Sequence, residues 1–389
     1  MVYIPATRVY EEMVREPASV WFVPAQGTDE HAILLKAPTN VLKAIVRGCR
    51  LEFVFGLHIQ GSQRVLCTAV KAYDDLVAPF IVSGAQLHLE EHKALHEILS
   101  RTHTPLFFFD ELNRCVCWAE ATLDKVSADA VAHLVGSPVA LRTEPFDEEA
   151  SKALDSFDLS LDPSRADEFT QSQSIPVFPI NVTLGEVQYT RIAAVGSNEV
   201  NNFVLDDREE GGTLEHSVWH VLENLFEFDI HKSPQVRTGN RTRELTDIFC
   251  FTELGLFLFE TKAISVYATE PSRNTQRRVN NVQNQVKKGL SQLKGATRSI
   301  REGNKVSTNV GTELCFDRSL IPHAIVLVSE LLPFGDWDEI VLQTIALARD
   351  SGMFIHILDL RELGTLRNRL KSLTSGPNAS PSSASSPRR

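Results

Sequence analysis

Two apolar segments joined by a short turn carry two carboxylates and an amine at a spacing that could bring them together. Residues 244–251 and 256–263 read as strands, and the TELG segment between them has the composition of a tight turn. A turn centred on the Glu-Leu pair places Asp247 opposite Glu260, and Lys262 shares the face of Glu260 because side chains alternate along a strand. Two carboxylates directly across a sheet repel each other. The stretch therefore predicts a bound cation between Asp247 and Glu260, with the ammonium of Lys262 beside it.

This spacing has a counterpart in a known group of enzymes. Asp247, followed after twelve residues by the tripeptide Glu260-Thr261-Lys262, resembles the active-site hairpin of the PD-(D/E)XK (restriction-endonuclease-like) nuclease superfamily. The resemblance covers residues 207–372, which is less than half of the chain. It implies an α/β domain with a central mixed sheet, and a metal-dependent endonuclease that hydrolyses phosphodiester bonds in DNA, in defence or in DNA processing.

The resemblance also assigns roles to the residues of the motif. Asp247, Glu260 and the carbonyl of Thr261 would bind Mg²⁺ (or Mn²⁺), which lowers the pKa of a bound water and neutralises charge on the phosphate. Lys262 would orient or deprotonate that water, or stabilise the transition state, and the sequence leaves these roles open. Thr246 stands where the family has a proline. An ordinary edge hairpin with a solvated polar face is the alternative, although the apolar residues on both faces leave little solvated side.

Two further polar residues match positions that carry function in that superfamily. Glu215 follows Thr213, a candidate N-cap, in a helix predicted over residues 214–226. A helix in this place carries an acid that reaches the metal, often through water; a favourable charge at a helix N-terminus is the alternative. In several branches, including the nuclease-related-domain group, the helix after the motif carries a glutamine near the metal. Gln285 is the first choice for it and Gln292 the second, against an ordinary solvated glutamine.

A basic stretch follows the motif. Residues 271–301 contain eight Lys and Arg and no acid, as a phosphate-binding surface requires. From about residue 276 the pattern predicts a long helix with one apolar face. The residues expected to hold a DNA backbone without reading bases are Arg277, Arg278, Lys287, Lys288 and Lys294. The arginine-rich segment 237–243 reads as a loop that either touches phosphate or is simply solvated.

Charge is distributed unevenly over the 389 residues. The net charge is −11, and residues 1–205 contain 16 basic and 27 acidic residues, which accounts for all of it. An acidic surface repels a phosphate backbone, so nucleic acid is expected to bind the second half of the chain. The acidic first part is a candidate for contact with a protein partner. DNA is the expected main partner, and oligomerisation is left open.

The distribution of cysteines argues against disulfides and favours an intracellular, cytoplasmic setting. The six cysteines are scattered without a C-x-x-C pair, which favours buried thiols in a reducing compartment. Glu11 and Glu12 precede any apolar run, so no signal peptide is expected, and no apolar run approaches the ~18 residues of a membrane span.

His88, His92 and His96 recur every four residues on a predicted helix. Two of them could bind zinc, but pairing with Glu90, Glu91 and Glu97 of the same helix is the favoured interpretation.

The elements around these residues suggest two domains. Residues 1–200 read as an acidic α+β domain of unknown role, with short strands at 18–70 (among them VLKAIVRG at 41–48), a helix at 85–100 and a hairpin at 104–122. Strand candidates between 175 and 195 either complete this domain or bridge to the next.

The nuclease-like domain is predicted over residues 206–374. Its order is helix, hairpin, long helix, strand at 321–329, helix at 336–348, strand at 353–363 and a terminal helix, which fits a mixed-sheet α/β core. The Ser/Pro-rich residues 375–389 are predicted to be a disordered tail. A relative that binds nucleic acid without cutting it, and an interaction module with a coincidental motif, are the two functional alternatives.

Overall fold

The computed structural model describes ten stretches of the chain. They are residues 2–24, 30–75, 79–157, 175–195, 200–205, 210–223, 225–226, 229–263, 275–332 and 335–374. The predicted tail at 375–389 and the residues 158–174 of the polar stretch before the strand candidates lie outside the described residues.

The first part of the chain is built on one large mixed sheet. Its helices are α1 (Thr7–Arg15), α2 (Thr39–Val46), α3 (Leu89–Arg101), α4 (Lys125–Val135) and α5 (Glu148–Ser156). Its strands are β1 (Ser19–Pro24), β2 (His31–Lys36), β3 (Leu51–Gln60), β4 (Gln63–Ala72), β5 (Phe80–Gln86), β6 (His103–Phe109), β7 (Cys115–Leu123), β8 (Val177–Leu184) and β9 (Gln188–Tyr189).

The strands pair in the order β1-β2-β6-β7-β8-β3-β4-β5, with β9 beside β7. The pair β2–β6 runs parallel and the other described pairs run antiparallel. Strand β8 inserts between β7 and β3, so the strand candidates after residue 175 complete the first sheet. The predicted hairpin at 104–122 corresponds to β6 and β7. A short hairpin of β10 (Ile192–Val195) and β11 (Val200–Phe203) follows.

One predicted strand of this part is wrong. The segment 41–48 lies mainly in helix α2, which starts directly after Pro38. Val41, Leu42 and Ile45 are fully buried in the first core. Their spacing of one and three residues places them on one side of a helix, because an α-helix repeats every 3.6 residues. The β-branched side chains suggested a strand, but burial of this helical face decides the structure.

The second part surrounds a five-stranded sheet. Its helices are α6 (Glu210–Glu223), α7 (Thr275–Arg301), α8 (Asp338–Ser351) and α9 (Leu360–Thr374). Its strands are β12 (Ile230–Lys232), β13 (Gln235–Thr238), β14 (Arg241–Glu244), β15 (Ile248–Thr252), β16 (Gly255–Lys262), β17 (Lys305–Ser307), β18 (Pro322–Val328) and β19 (Phe354–Asp359).

The strand order in this sheet is β12-β15-β16-β18-β19, with β16, β18 and β19 parallel and the first two pairs antiparallel. Helix α7 is the crossover between β16 and β18, and its apolar face packs on both strands. Helices α6 and α9 pack on the opposite face, where Phe259, Ile325 and Leu327 are buried. The carboxyl ends of the three parallel strands therefore meet at one edge, the place where open α/β sheets bind ligands.

The arginine-rich segment 237–243 is not a loop. It forms most of the antiparallel hairpin β13–β14, which turns at Gly239 with φ of 61° and pairs with β17 in a separate three-stranded sheet. A positive φ is unfavourable for most residues but not for glycine, so the Gly-Asn pair fits a tight hairpin turn. The Arg243 guanidinium donates to the Ser299 hydroxyl on α7 at 3.1 Å, which attaches the hairpin to the basic helix.

The chain as a whole is thus an α+β protein with a large mixed sheet followed by a smaller one. Buried side chains of residues 3–205 form three clusters, while the two other clusters are drawn mainly from residues 214–363. Leu112 is the exception, since it packs with α6 and α9 of the second part. In the described ranges, no helix is long and apolar enough to cross a membrane.

Candidate active site

The hairpin β15–β16 has the register that the sequence predicts. Its pairs run from Ile248 with Phe259 to Thr252 with Gly255, and two residues form the turn. Asp247 is the residue before the first pair and Glu260 the residue after it, so the same register places them opposite each other. Both lie at the carboxyl end of β16.

Lys262 lies beside Glu260 on one face of the sheet. The Nζ atom donates to Glu260 Oε2 at 2.7 Å and to the Thr261 carbonyl at 3.1 Å, and it is 3.9 Å from Asp247 Oδ2. The even-numbered residues of β16 face helix α7, since Leu256 and Leu258 belong to the core under that helix. Glu260 and Lys262 continue this row, and only 2 % and 9 % of their surfaces are exposed.

Asp247 is held in place by the strand that it faces. Its Oδ2 accepts hydrogen bonds from the Thr261 amide at 2.6 Å and from the Thr261 hydroxyl at 2.8 Å. The Ser233 amide donates to the Asp247 carbonyl at 2.8 Å. Thr246, which stands where the family has a proline, donates its hydroxyl to the Phe259 carbonyl at 2.6 Å. The carboxylate therefore has a fixed position before any ligand binds.

Burial and repulsion act together on Glu260. Burial raises the pKa of the Glu260 carboxyl above its ordinary value, and the nearby charge of Asp247 raises it further. The hydrogen bond and charge of Lys262 lower that pKa and offset part of the shift. A second positive charge at this place would favour the ionised form, which is the condition for a metal-binding carboxylate.

Glu215 lies near the motif but is not joined to it directly. Helix α6 begins at Glu210, so Thr213 lies inside the helix and is not its N-cap. Glu215 Oε1 is 3.6 Å from Lys232 Nζ on β12. Burial raises the pKa of Glu215, Lys232 lowers it, and repulsion from Asp247 raises it again. Glu215 is thus close enough to Asp247 for electrostatic repulsion between the two carboxylates, while its ion-pair partner is Lys232.

Two charged residues of this neighbourhood escaped prediction. Lys232 pairs with Glu215, and Glu244, the last residue of β14, raises the pKa of both Glu215 and Glu260 by repulsion. Glu244 precedes Asp247 by only three residues, and this short spacing could have indicated from the sequence that a further acid lies near the site. Lys232 belongs to a three-residue strand whose pairing with β15 no sequence pattern indicates.

The oxygen atoms predicted to bind a metal converge on a positive charge. Glu260 Oε2, the Thr261 carbonyl and Asp247 Oδ2 are 2.7, 3.1 and 3.9 Å from the ammonium of Lys262. Oxygen donors of this kind suit Mg²⁺ or Mn²⁺. The donor set therefore fits a divalent cation, provided that the ammonium moves aside. Glu215 is not part of any three-ligand group within 4.8 Å among the described residues.

Gln285 lies on the helix that covers this face of the sheet. A Cβ atom at Gly289 would be 2.8 Å from Val326, and Val326 pairs with Glu260, so α7 packs tightly on the sheet beside the site. Further along α7, Thr297 contacts Met353 next to the start of β19. The helix thus runs from the carboxyl ends of the parallel strands towards their amino ends. Half-buried Gln285 lies one turn before Gly289, on the site's side, whereas exposed Gln292 lies on the other.

Four of the five basic residues chosen for phosphate contact are exposed or half-buried on α7. Arg277, Lys288 and Lys294 are exposed, and half-buried Lys287 forms an ion pair with Glu339 at 2.8 Å. Within the described ranges, Lys288 and Lys294 have no ion-pair partner. These two lysines are therefore available to a phosphate backbone without breaking an existing pair.

Arg278 is a correction to the predicted phosphate contacts. Its side chain is buried between the two parts of the chain, 3.1 Å from Asp74 Oδ2 and hydrogen-bonded to the Glu330 carboxylate. These two carboxylates outweigh burial and raise the pKa of Arg278 above its ordinary value. A guanidinium paired in this way cannot reach a DNA backbone, so Arg278 joins the two parts instead.

Two of the three histidines predicted on helix α3, His88 and His92, have hydrogen-bonding partners outside the series. His88 lies 2.9 Å from Glu12 Oε1 and 3.0 Å from Glu144 Oε1, while His92 Nε2 is 2.7 Å from the Gln86 carbonyl. Glu12 and Glu144 come from other segments of the chain, so the predicted pairing with glutamates of the same helix is wrong for His88. Glu12, His88 and Glu91 have ligand atoms within 4.8 Å of one another.

Comparison with protein-family models, with curated proteins and with solved structures found no match to this chain. The resemblance to the nuclease superfamily therefore depends on the motif and on the geometry of the hairpin.

Proposed function

We propose that the second part of the chain is a metal-dependent nuclease that hydrolyses phosphodiester bonds in DNA. One observation carries the proposal: the register of β15–β16 sets Asp247 opposite Glu260, and Lys262 is within 4 Å of both carboxylates. The mixed sheet, with α7 crossing from β16 to β18, supports a restriction-endonuclease-like domain.

The chain's own residues prepare the site before substrate arrives. Thr261 fixes the Asp247 carboxylate through its amide and hydroxyl, and burial fixes Glu260 beside it. Fixed groups do not have to reorganise during the reaction, which is the main source of electrostatic catalysis. Asp247, Glu260 and the Thr261 carbonyl would hold Mg²⁺ or Mn²⁺, and the bound ion supplies a water of lowered pKa and charge for the phosphate.

Lys262 has a different task once the acids bind a cation. Its ammonium now neutralises Glu260, and a metal would release it towards the attacking water or the phosphate. Either position stabilises negative charge that develops at phosphorus. Exposed Lys288 and Lys294 on α7 would hold the DNA backbone, which requires charge but no base reading.

The decisive experiment is cleavage of plasmid and single-stranded DNA with Mg²⁺ or Mn²⁺. Asp247→Asn, Glu260→Gln and Lys262→Met should each reduce the cleavage rate by at least about a hundredfold. Glu253→Gln is the matched control, because it removes the same charge from the exposed turn of the same hairpin. Thermal unfolding of each variant separates loss of chemistry from loss of fold.

The alternatives predict different results. Cleavage at the wild-type rate by Asp247→Asn and Glu260→Gln would remove both residues from the chemistry. Salt-dependent DNA binding without any cleavage by the wild type would indicate a binding protein that has lost catalysis. An interaction module would show no slope of log affinity against log salt concentration.

A further inference from the structure

A cavity lies between the two parts of the chain, where β16 and β18 end. It has about 50 Å³ of space for the centres of water-sized molecules. Ala263 and Ser329, the residues that follow β16 and β18, line it from the second part, and Asn40 and Phe203 line it from the first. Ala263 directly follows Lys262, and the Ser329 amide donates to the Lys262 carbonyl at 3.2 Å. The cavity thus adjoins the candidate active site along the chain.

The side-chain amide of Asn40 is buried at this cavity. Only 7 % of the residue is exposed, and neither Oδ1 nor Nδ2 has a hydrogen-bond partner among the described residues. Buried polar groups of folded proteins are almost always hydrogen-bonded, so an amide with two unused atoms in a cavity indicates a missing ligand or missing water. Asn40 offers one donor and one acceptor side by side.

The neighbours of Asn40 hold it in place. The Thr39 amide and hydroxyl donate to Glu111 Oε2 at 3.0 and 2.7 Å, which fixes the first turn of α2. Asn40 is the next residue of that turn. Its position is therefore determined by a buried carboxylate of the β6–β7 turn and not by the cavity's content.

Apolar and polar residues share the remaining wall. Phe203, Leu214 and Leu360 form its large apolar part, and the Arg114 guanidinium lies 4.0 Å from the ring centroid of Phe203. The polar part consists of Thr39, Lys43, Glu111, Thr213, Ser217 and Ser329. Apolar side chains beside a rim of polar groups suit a flat ligand that is hydrophobic on its faces and polar on its rim. Nucleobases have this chemistry, and paired amide contacts to a base edge are a common mode of recognition.

The size of the cavity limits the choice of base. One water needs about 10–15 Å³ by this measure, so the cavity holds on the order of four waters. That space accommodates a single ring, while the sugar and phosphate would remain outside.

We propose that this cavity binds a pyrimidine base whose donor–acceptor edge pairs with the amide of Asn40. The base comes either from a nucleic-acid strand or from a free nucleotide. The first source rests on the proposed nuclease function, whereas the second is independent of it. In both cases the first part of the chain contributes a recognition residue.

Binding is measured by calorimetry with the full chain in EDTA, so that no cleavage takes place. The probes are uridine 5′-monophosphate, cytidine 5′-monophosphate, ribose 5-phosphate, a short oligothymidylate and an abasic strand of equal length. A pyrimidine nucleotide or the oligothymidylate should bind more tightly than its base-free counterpart. Asn40→Leu should weaken that binding by about tenfold or more, since it removes both hydrogen bonds.

Two further variants keep the test decisive. Asn40→Asp retains the shape but removes the donor, so it should also weaken base binding if Asn40→Leu fails to fold. Asn181→Leu, at an exposed position of β8, is the matched control and should leave binding unchanged. Binding of a free nucleotide alone would assign the site to that source, and a preference for the strand would assign it to nucleic acid.

Three results would overturn the inference. They are equal affinity for probes with and without a base, binding that is insensitive to Asn40→Leu, and occupation by water alone, seen as no binding of any probe. None of them bears on cleavage at Asp247 and Glu260, and loss of cleavage in the variants of those residues does not bear on base binding. The two proposals can therefore fail separately.

Discussion

Two clusters in this protein each contain a pair of acidic residues, but they differ in the groups that already contact the carboxylates. In the first part, Glu12 and Glu91 on α1 and α3 share the guanidinium of Arg8, with distances of 2.8 and 2.7 Å. The other oxygen of Glu12 accepts from the Trp21 indole at 3.0 Å, and His88 lies 2.9 Å from Glu12 Oε1. These acids are occupied by fixed groups that join two helices and a strand.

In the second part, the acids of the motif share one flexible ammonium. Lys262 is 2.7 Å from Glu260 and 3.9 Å from Asp247, at the end of a flexible four-carbon stem. Only the first cluster brings three ligand atoms of the described residues within 4.8 Å. Proximity alone would therefore select the first cluster and not the metal site proposed at Asp247 and Glu260. The useful distinction is whether the oxygens are already occupied by groups that hold the fold together.

Divalent metal binding tests this distinction most strongly. Wild-type protein should bind Mn²⁺, and the double change Asp247→Asn with Glu260→Gln should weaken binding at least about a hundredfold, because it removes the anionic ligands. Glu12→Gln should leave the affinity unchanged, because Arg8 already occupies that cluster. Mn²⁺ titration followed by electron paramagnetic resonance gives both affinities, and loss of binding in Glu12→Gln would reverse the assignment.

The pH dependence of stability should reveal Glu91. Burial raises the pKa of Glu91 to about 7, against the lowering effect of Arg8. The folded state then binds the proton more tightly than the unfolded state. This tighter proton binding stabilises the folded state by about 3 kcal/mol. The full contribution is present below the ordinary pKa of about 4.5, and it is lost as the pH rises through about 7. In urea unfolding, the difference between wild type and Glu91→Gln should change by about this amount over that range; a constant difference would contradict the shift.

Removing the guanidinium of the first cluster should destabilise the fold. Arg8→Met leaves the buried carboxylate of Glu91 without its ion-pair partner. The free energy of unfolding should fall by about 2 kcal/mol, which is less than for a fully buried pair because one third of the Arg8 side chain is exposed to solvent. Arg15→Met, on the same helix but more exposed, is the control. Thermal denaturation near pH 8 should show a lower midpoint for Arg8→Met alone, and equal midpoints would mean that the cluster does not hold the helices.

Replacing the exposed lysines of α7 should have the smallest of these effects, a modest loss of DNA affinity. Lys288→Met and Lys294→Met should each weaken DNA binding severalfold and lower the salt slope by about 1, without changing stability. Arg278→Met should instead lower stability, since it removes the positive charge that faces buried Asp74 and half-buried Glu330. Fluorescence anisotropy at several salt concentrations measures the slopes. An unchanged slope in both lysine variants would exclude these two lysines from contact with DNA.

The sequence predicts the site best where chemistry is local. The turn between β15 and β16 has a two-residue loop, so the register of Asp247 and Glu260 follows from counting. The apolar period of α7 likewise places Val282, Val286 and Leu290 in the core, as expected. Local pattern fails for α2, where β-branched residues favour a strand but burial of one side in the first core selects a helix.

Non-local partners account for the other differences. Arg278 has the composition and spacing of a phosphate ligand, and its burial depends on Asp74, some two hundred residues earlier in the chain. Lys232 reaches Glu215 only because β12 pairs with β15. Such contacts come from the packing of the two parts, and no periodicity within a segment encodes them. The nuclease-like identity of the second part and its boundary near residues 200–206 remain predictions.

The close approach at Gly289 has a consequence for engineering this protein. The space between α7 and Val326 is too small for even a methyl group, since a Cβ at this position would lie 2.8 Å from the valine side chain. Any larger residue must push the helix away from the strand that neighbours Glu260. The absence of a side chain at Gly289 therefore sets the distance between the two acids and the helix that carries the exposed lysines. A larger residue at this position would increase that distance and loosen the geometry of the proposed site, while every polar residue stays unchanged.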